Sequence, residues 1–146
     1  MRFLISLLAL GLVWPAAAQI VSPLPTETDL KAAYCIPVFI DRETRIKPFT
    51  EGTVPAGVRD WAMKSTDEIR RSLRRTRLFL MPRMAYLDAA ALYGANRSAQ
   101  DDLLVGYRAV DACLGACKEQ SCLADCQTIP EMVRLNSCLG ANFLPF

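Results

Sequence analysis
The sequence predicts a mainly α protein: a small exported helical bundle of about five helices stapled by disulfides, with a minor β-hairpin near residues 38–49. Three observations lead there. From Pro55 onward apolar residues recur at three- and four-residue spacing, the period of helices with one buried face. The six cysteines are an even number, and four fall in the run Cys113-Leu-Gly-Ala-Cys117-Lys-Glu-Gln-Ser-Cys122-Leu-Ala-Asp-Cys126. The first eighteen residues carry the parts of an export signal: Arg2 as the positive end, Phe3 to Val13 as the apolar run, and Ala16-Ala17-Ala18 as a small-residue cleavage site.

The apolar run is about eleven residues long and a bilayer span needs roughly twenty, so the leader predicts cleavage and not anchoring. The expected mature chain starts at Gln19 and resides in a periplasm or is secreted, where thiols are oxidised. Residues 1–18 are then the cleaved signal peptide, 19–34 an N-terminal arm and short helix, and 35–146 a disulfide-stapled helical domain. Together 19–146 form one domain, a length that suits one core and not two.

Along that chain, Ile20 to Pro25 is an extended arm, because each proline pushes its predecessor away from helix. Thr26 with Asp29 starts a short helix carrying Leu30, Ala33 and Tyr34, which Pro37 interrupts. Val38-Phe39-Ile40, a polar Asp41-Arg42-Glu43-Thr44 and Arg45-Ile46-Lys47 make the hairpin, held to a sheet edge by Pro48, with a plain loop as the equal alternative. Val58, Trp61, Ala62, Ile69, Leu73 and Thr76 then share a helical face, in one kinked helix or two, with Trp61 expected in the core. Pro82 begins another helix that Gly94 ends. Ser98 with Asp101 opens the next, with Asp102 against its N-terminal dipole and Leu103, Leu104, Tyr107, Val110 and Leu114 at helical spacing. Pro130 begins the last, from Glu131 to Leu139, with Gly140 as its stop, and the apolar tail from Asn142 to Phe146 packs back on the protein.

On a helix Cys113 shares a face with Cys117, and Cys122 with Cys126. A turn between the two segments favours Cys117 with Cys122 and Cys113 with Cys126, leaving Cys35 for Cys138. In geometry alone this resembles the stapled helical hairpins of small mitochondrial-type chaperones. The spacer here is far shorter, and an export signal is not theirs. Four thiolates at such spacing also suit zinc, so thiol-based metal handling stays a minor alternative. An oxidising compartment and an even count favour bridges, and no metal ligand or cofactor is assigned.

There is no histidine. That excludes Ser-His-Asp and Cys-His nucleophiles, histidine-ligated metal hydrolases and c-type haem attachment. Asp101 and Asp102 are adjacent and so point about 100 degrees apart on a helix, unlike the facing carboxylates of glycoside hydrolysis. No glycine-rich phosphate loop exists, and no catalytic residue is assigned. Asn96-Arg97-Ser98 matches a glycosylation acceptor, which matters only in a eukaryotic source.

Charge is uneven. Residues 42–83 hold eleven Lys or Arg against five Asp or Glu, whereas residues 84–146 hold four against seven. Within the basic half, Arg70, Arg71, Arg74, Arg75 and Arg77 lie opposite Ile69, Leu73 and Thr76, giving a helix with one apolar and one cationic face. The sequence thus predicts a non-catalytic, exported protein-binding module, an accessory subunit, inhibitor or immunity-type protein of the cell envelope. It docks on an acidic protein surface through those arginines. The alternative is a binder of anionic envelope lipid or polysaccharide through the same residues, and nucleic acid is disfavoured by location, so none is assigned.

Overall fold
In the computed structural model the described residues are 22–117, 125–126, 128–141 and 143. They form four helices and no strand: α1 (Glu27–Glu51), α2 (Ala56–Met84), α3 (Ala89–Ala116) and α4 (Pro130–Asn136). The bundle is mainly helical as expected, with four helices among the described residues where about five were expected. None of them is long and apolar enough to cross a membrane.

The start of α1 follows the expected chemistry. Thr26 Oγ1 accepts from the Asp29 backbone N–H at 3.2 Å, and the Asp29 carboxylate accepts from the Thr26 backbone N–H at 3.0 Å, a reciprocal capping box. Beyond that the reading changes. Residues 38–49 are helical and belong to α1, so there is no hairpin there, and α1 runs unbroken through both Pro37 and Pro48 and across the 34/35 boundary. Each proline removes one backbone hydrogen bond, at a cost of about 3 kcal/mol in an isolated helix. Burial outweighs it. Ala32, Cys35, Val38 and Phe39 are fully buried along one stripe, and Pro48 sits in the last turn, where its carbonyl accepts the Gly52 N–H.

α2 is one helix, not two. Ala62, Thr66, Ile69, Leu73, Thr76 and Leu80 are its buried stripe, and Pro82 falls two residues before its end, so it stops this helix and does not start the next. The start of α3 is Asp88, whose carboxylate accepts from the Ala90 N–H at 2.9 Å; the helix then continues through Gly94 and Ser98. Pro130 opens α4 as expected, three residues shorter than expected. Gly106 lets α4 approach α3: a β-carbon there would lie 3.1 Å from the Glu131 Cβ.

α1 is the central element, packing against both α2 and α3, while α4 packs on α3. The core runs along α1 from Ala32 to Phe39 and takes in Ile69, Leu73, Phe79 and Leu80 from α2, Leu92 and Ala99 from α3, and Leu135 from α4. Phe143 closes it with its ring 5.7 Å from that of Phe79, so this part of the tail packs inward. The arm also docks, its Pro23 carbonyl accepting the Asp88 N–H at 3.1 Å.

Two expected bridges are present. Cys35–Cys138 ties the middle of α1 to the chain beyond α4, and Cys113–Cys126 ties the end of α3 to the segment before α4. Cys117 is also disulfide-bonded. Its expected partner, Cys122, lies outside the described residues.

Candidate functional site
All five arginines of the cationic face are exposed along α2. The buried stripe forces this, because Ile69, Leu73 and Thr76 turn inward and the residues between them turn out. Arg70 is the exception in bonding: its Nε lies 2.6 Å from Glu43 Oε1, an ion pair across to α1 that raises the arginine pKa. Arg71 Nε donates to the Asp67 backbone carbonyl at 3.2 Å. Among the described residues Arg71, Arg74, Arg75 and Arg77 pair with no acid. Arg70, Arg71 and Arg74 surround one shallow depression with Asp67. Arg71 and Arg75 border another with Glu68 and Leu139.

Beside this face lies a groove that the sequence reading missed. Because α2 and α3 both lean on α1, they leave a channel between them with α1 as its floor. It encloses about 720 Å³, lined by Ile46, Ile69, Val110, Leu114, Met132 and Leu139. Trp61 also lines it and is 56 % exposed, so it is not a core residue as expected. Arg42 and Arg45 stand at the α1 side. Arg45 is engaged, its Nε 2.9 Å from Asp41 Oδ2 and its guanidinium carbon 3.5 Å above the centre of the Tyr107 ring. Tyr107 donates to the same Asp41 oxygen at 2.7 Å, and burial together with that carboxylate pushes its phenol up to about 12. Arg42 Nη2 donates to Asn136 Oδ1 at 2.7 Å, and burial holds its pKa below the ordinary arginine value.

The buried carboxylates have structural partners. Asp102 is not at a helix N-terminus as expected; it sits inside α3 and joins three helices. It accepts from Arg134 Nη2 and Nε at 2.6 and 2.8 Å and from the Tyr34 hydroxyl at 2.7 Å. The Arg134 bonds lead in holding its pKa below the usual carboxylate value, and burial with Asp102 raises that of Tyr34. Burial pulls the Asp29 pKa upward, but Thr26 and Arg83 outweigh it and the net shift is downward. A carboxylate saturated with donors in this way is a poor base at neutral pH.

The Sγ atoms of Cys113, Cys117 and Cys126 lie within 4.8 Å of one another, a separation that would suit a metal. All three are in disulfides and have no thiolate to offer one. No protein-family model matches the chain, and no curated protein or solved structure matches it.

Proposed function
We propose that this protein is an exported, non-catalytic binding module that docks on an acidic protein surface through Arg70, Arg71, Arg74, Arg75 and Arg77. The leader-like first eighteen residues and the disulfides support export. One observation carries the docking reading. Of the five exposed arginines between residues 70 and 77 of this helix, only Arg70 pairs with an acid of the same molecule among the described residues. Arginine forks match carboxylates in geometry, and a rigid helix anchored by its buried stripe holds them in place.

The test is capture from envelope extract by the oxidised chain and by a variant with Arg71, Arg74, Arg75 and Arg77 changed to Glu, followed by titration of each captured protein in purified form. A one-to-one partner with an acidic surface, bound by the native chain and not by the variant, supports the reading. Equal binding to both chains moves the interface elsewhere and refutes it. Binding to anionic vesicles alone, fading as salt shortens the Debye length below about 10 Å, replaces the partner with an envelope surface.

A further inference from the structure
We propose that the groove between α2 and α3 is a binding site for a single-chain fatty acid, with the alkyl tail on its apolar lining and the carboxylate on Arg42. The volume, about 720 Å³, falls within the roughly 300–1,000 Å³ of small-molecule sites. Its lining joins residues of all four helices, among them Ile69, Val110 and Met132, so the groove is part of the fold and not a gap between loose side chains.

Arg42 decides the chemistry. It is half-buried on the groove floor, and its one hydrogen bond among the described residues goes to a neutral amide, that of Asn136. It makes no ion pair there. A guanidinium has five N–H donors in a planar fork, so this one keeps donors for a carboxylate; Asp41 and Tyr107 act on its charge through space, without an ion pair. Arg45 does not compete, since Asp41 and the Tyr107 ring already hold it. Glu68 on the α2 wall is exposed and repels an anion there, which orients the ligand with its head at α1 and its tail toward α2 and α3. A two-headed or polyanionic ligand would meet Glu68; a single carboxylate would not. These residues are separate from the arginines of the exposed α2 face.

Trp61 on the groove wall is the reporter. The chain has two tryptophans, and Trp14→Phe leaves Trp61 alone. The full oxidised chain with this change is titrated with dodecanoate below its micellar concentration and, in parallel, with dodecanol. A saturable change in Trp61 emission is expected for dodecanoate, with affinity at least about tenfold above that for dodecanol, the lower range for a hydrogen bond to a charged group. Arg42→Gln, which keeps a polar side chain without the charge, and Arg42→Met are expected to bring dodecanoate down to the dodecanol level while dodecanol binding persists, showing that the groove is intact. Three results would overturn the proposal: no saturable change with the native side chains, equal affinity for acid and alcohol, or undiminished dodecanoate binding after loss of Arg42. The first two need no substitution at Arg42, so a folding defect there does not shield the proposal.

Discussion

Removing the Cys35–Cys138 bridge by Cys35→Ala with Cys138→Ala is expected to be the most damaging paired change in the molecule. The bridge spans 103 residues of sequence, which in the chain-entropy model amounts to about 4.7 kcal/mol of unfolded-state restriction at 25 °C. Cys113–Cys126 spans 13, worth about 2.9 kcal/mol by the same relation. The expected difference is therefore about 1.8 kcal/mol. Packing acts in the same direction, since Cys35 and Cys138 are both fully buried whereas Cys113 is partly exposed. Domains of this size have about 5–15 kcal/mol in total, so the long-bridge variant is left marginal. Equilibrium guanidinium unfolding of both alanine pairs, followed by circular dichroism, measures the comparison. The slope with denaturant should also rise more in the long-bridge variant, whose unfolded chain expands further. If the short-bridge variant loses as much stability as the long-bridge one, the loop-entropy reasoning is wrong.

Thr66 is buried with no hydrogen-bond partner for its hydroxyl among the described residues, so Thr66→Val is expected to raise stability by about 1 kcal/mol, seen as a higher thermal midpoint. Asp102→Ala strands the Tyr34 hydroxyl and should cost about 2–3 kcal/mol in denaturant unfolding, more than Tyr34→Phe, which leaves the Asp102 carboxylate held by Arg134. Asp29 and Asp102 have depressed folded-state pKa values, so the stability they contribute is complete above the unfolded carboxylate value of about 3.9 and is lost as pH falls below it. Asp102→Asn should flatten that acid limb. Tyr107 is shifted the other way, to about 12, so its contribution is full below the unfolded tyrosine value of about 10 and lost between there and 12. Phenolate absorbance should show two late-titrating tyrosines, Tyr34 and Tyr107, of which Tyr107→Phe removes one. With no histidine in the chain, stability between these limbs should be level.

The arginine face was legible because two periodic signals coincide on one segment: Ile69, Leu73 and Thr76 fix which side is buried, and the charges fall between them. The Cys35–Cys138 and Cys113–Cys126 pairings were legible from spacing within the cluster, which left the distant pair for each other. The groove was hidden by a single misreading. Pro37 and Pro48 argue locally against helix, and treating 38–49 as a hairpin placed Arg42 in a turn and Arg45 on the strand after it, far from any lining. Only tertiary burial of Val38 and Phe39 overrides those prolines, and that burial depends on α2 and α3 being present. Likewise Ser98 and Asp101 imitate a helix start, whereas Asp88 supplies the real cap and Asp102 is drawn inward by Arg134, a partner 32 residues away. Trp61 misled for a simpler reason: a large aromatic at helical spacing suggests core, yet it borders the stripe and faces the channel.

The Cys35–Cys138 bridge also sets a problem of timing during synthesis. A chain made from its N-terminus presents Cys35 long before Cys138 exists; at about 5–20 residues per second the wait is on the order of 5–20 s. The first thiol to arrive in that interval is Cys113, which the folded protein gives to Cys126. An oxidant that joins cysteines in order of emergence therefore traps the wrong pair, and the native one then requires thiol–disulfide exchange. The yield of correctly bonded protein should accordingly follow the isomerase capacity of its host and not the oxidising strength of the compartment alone.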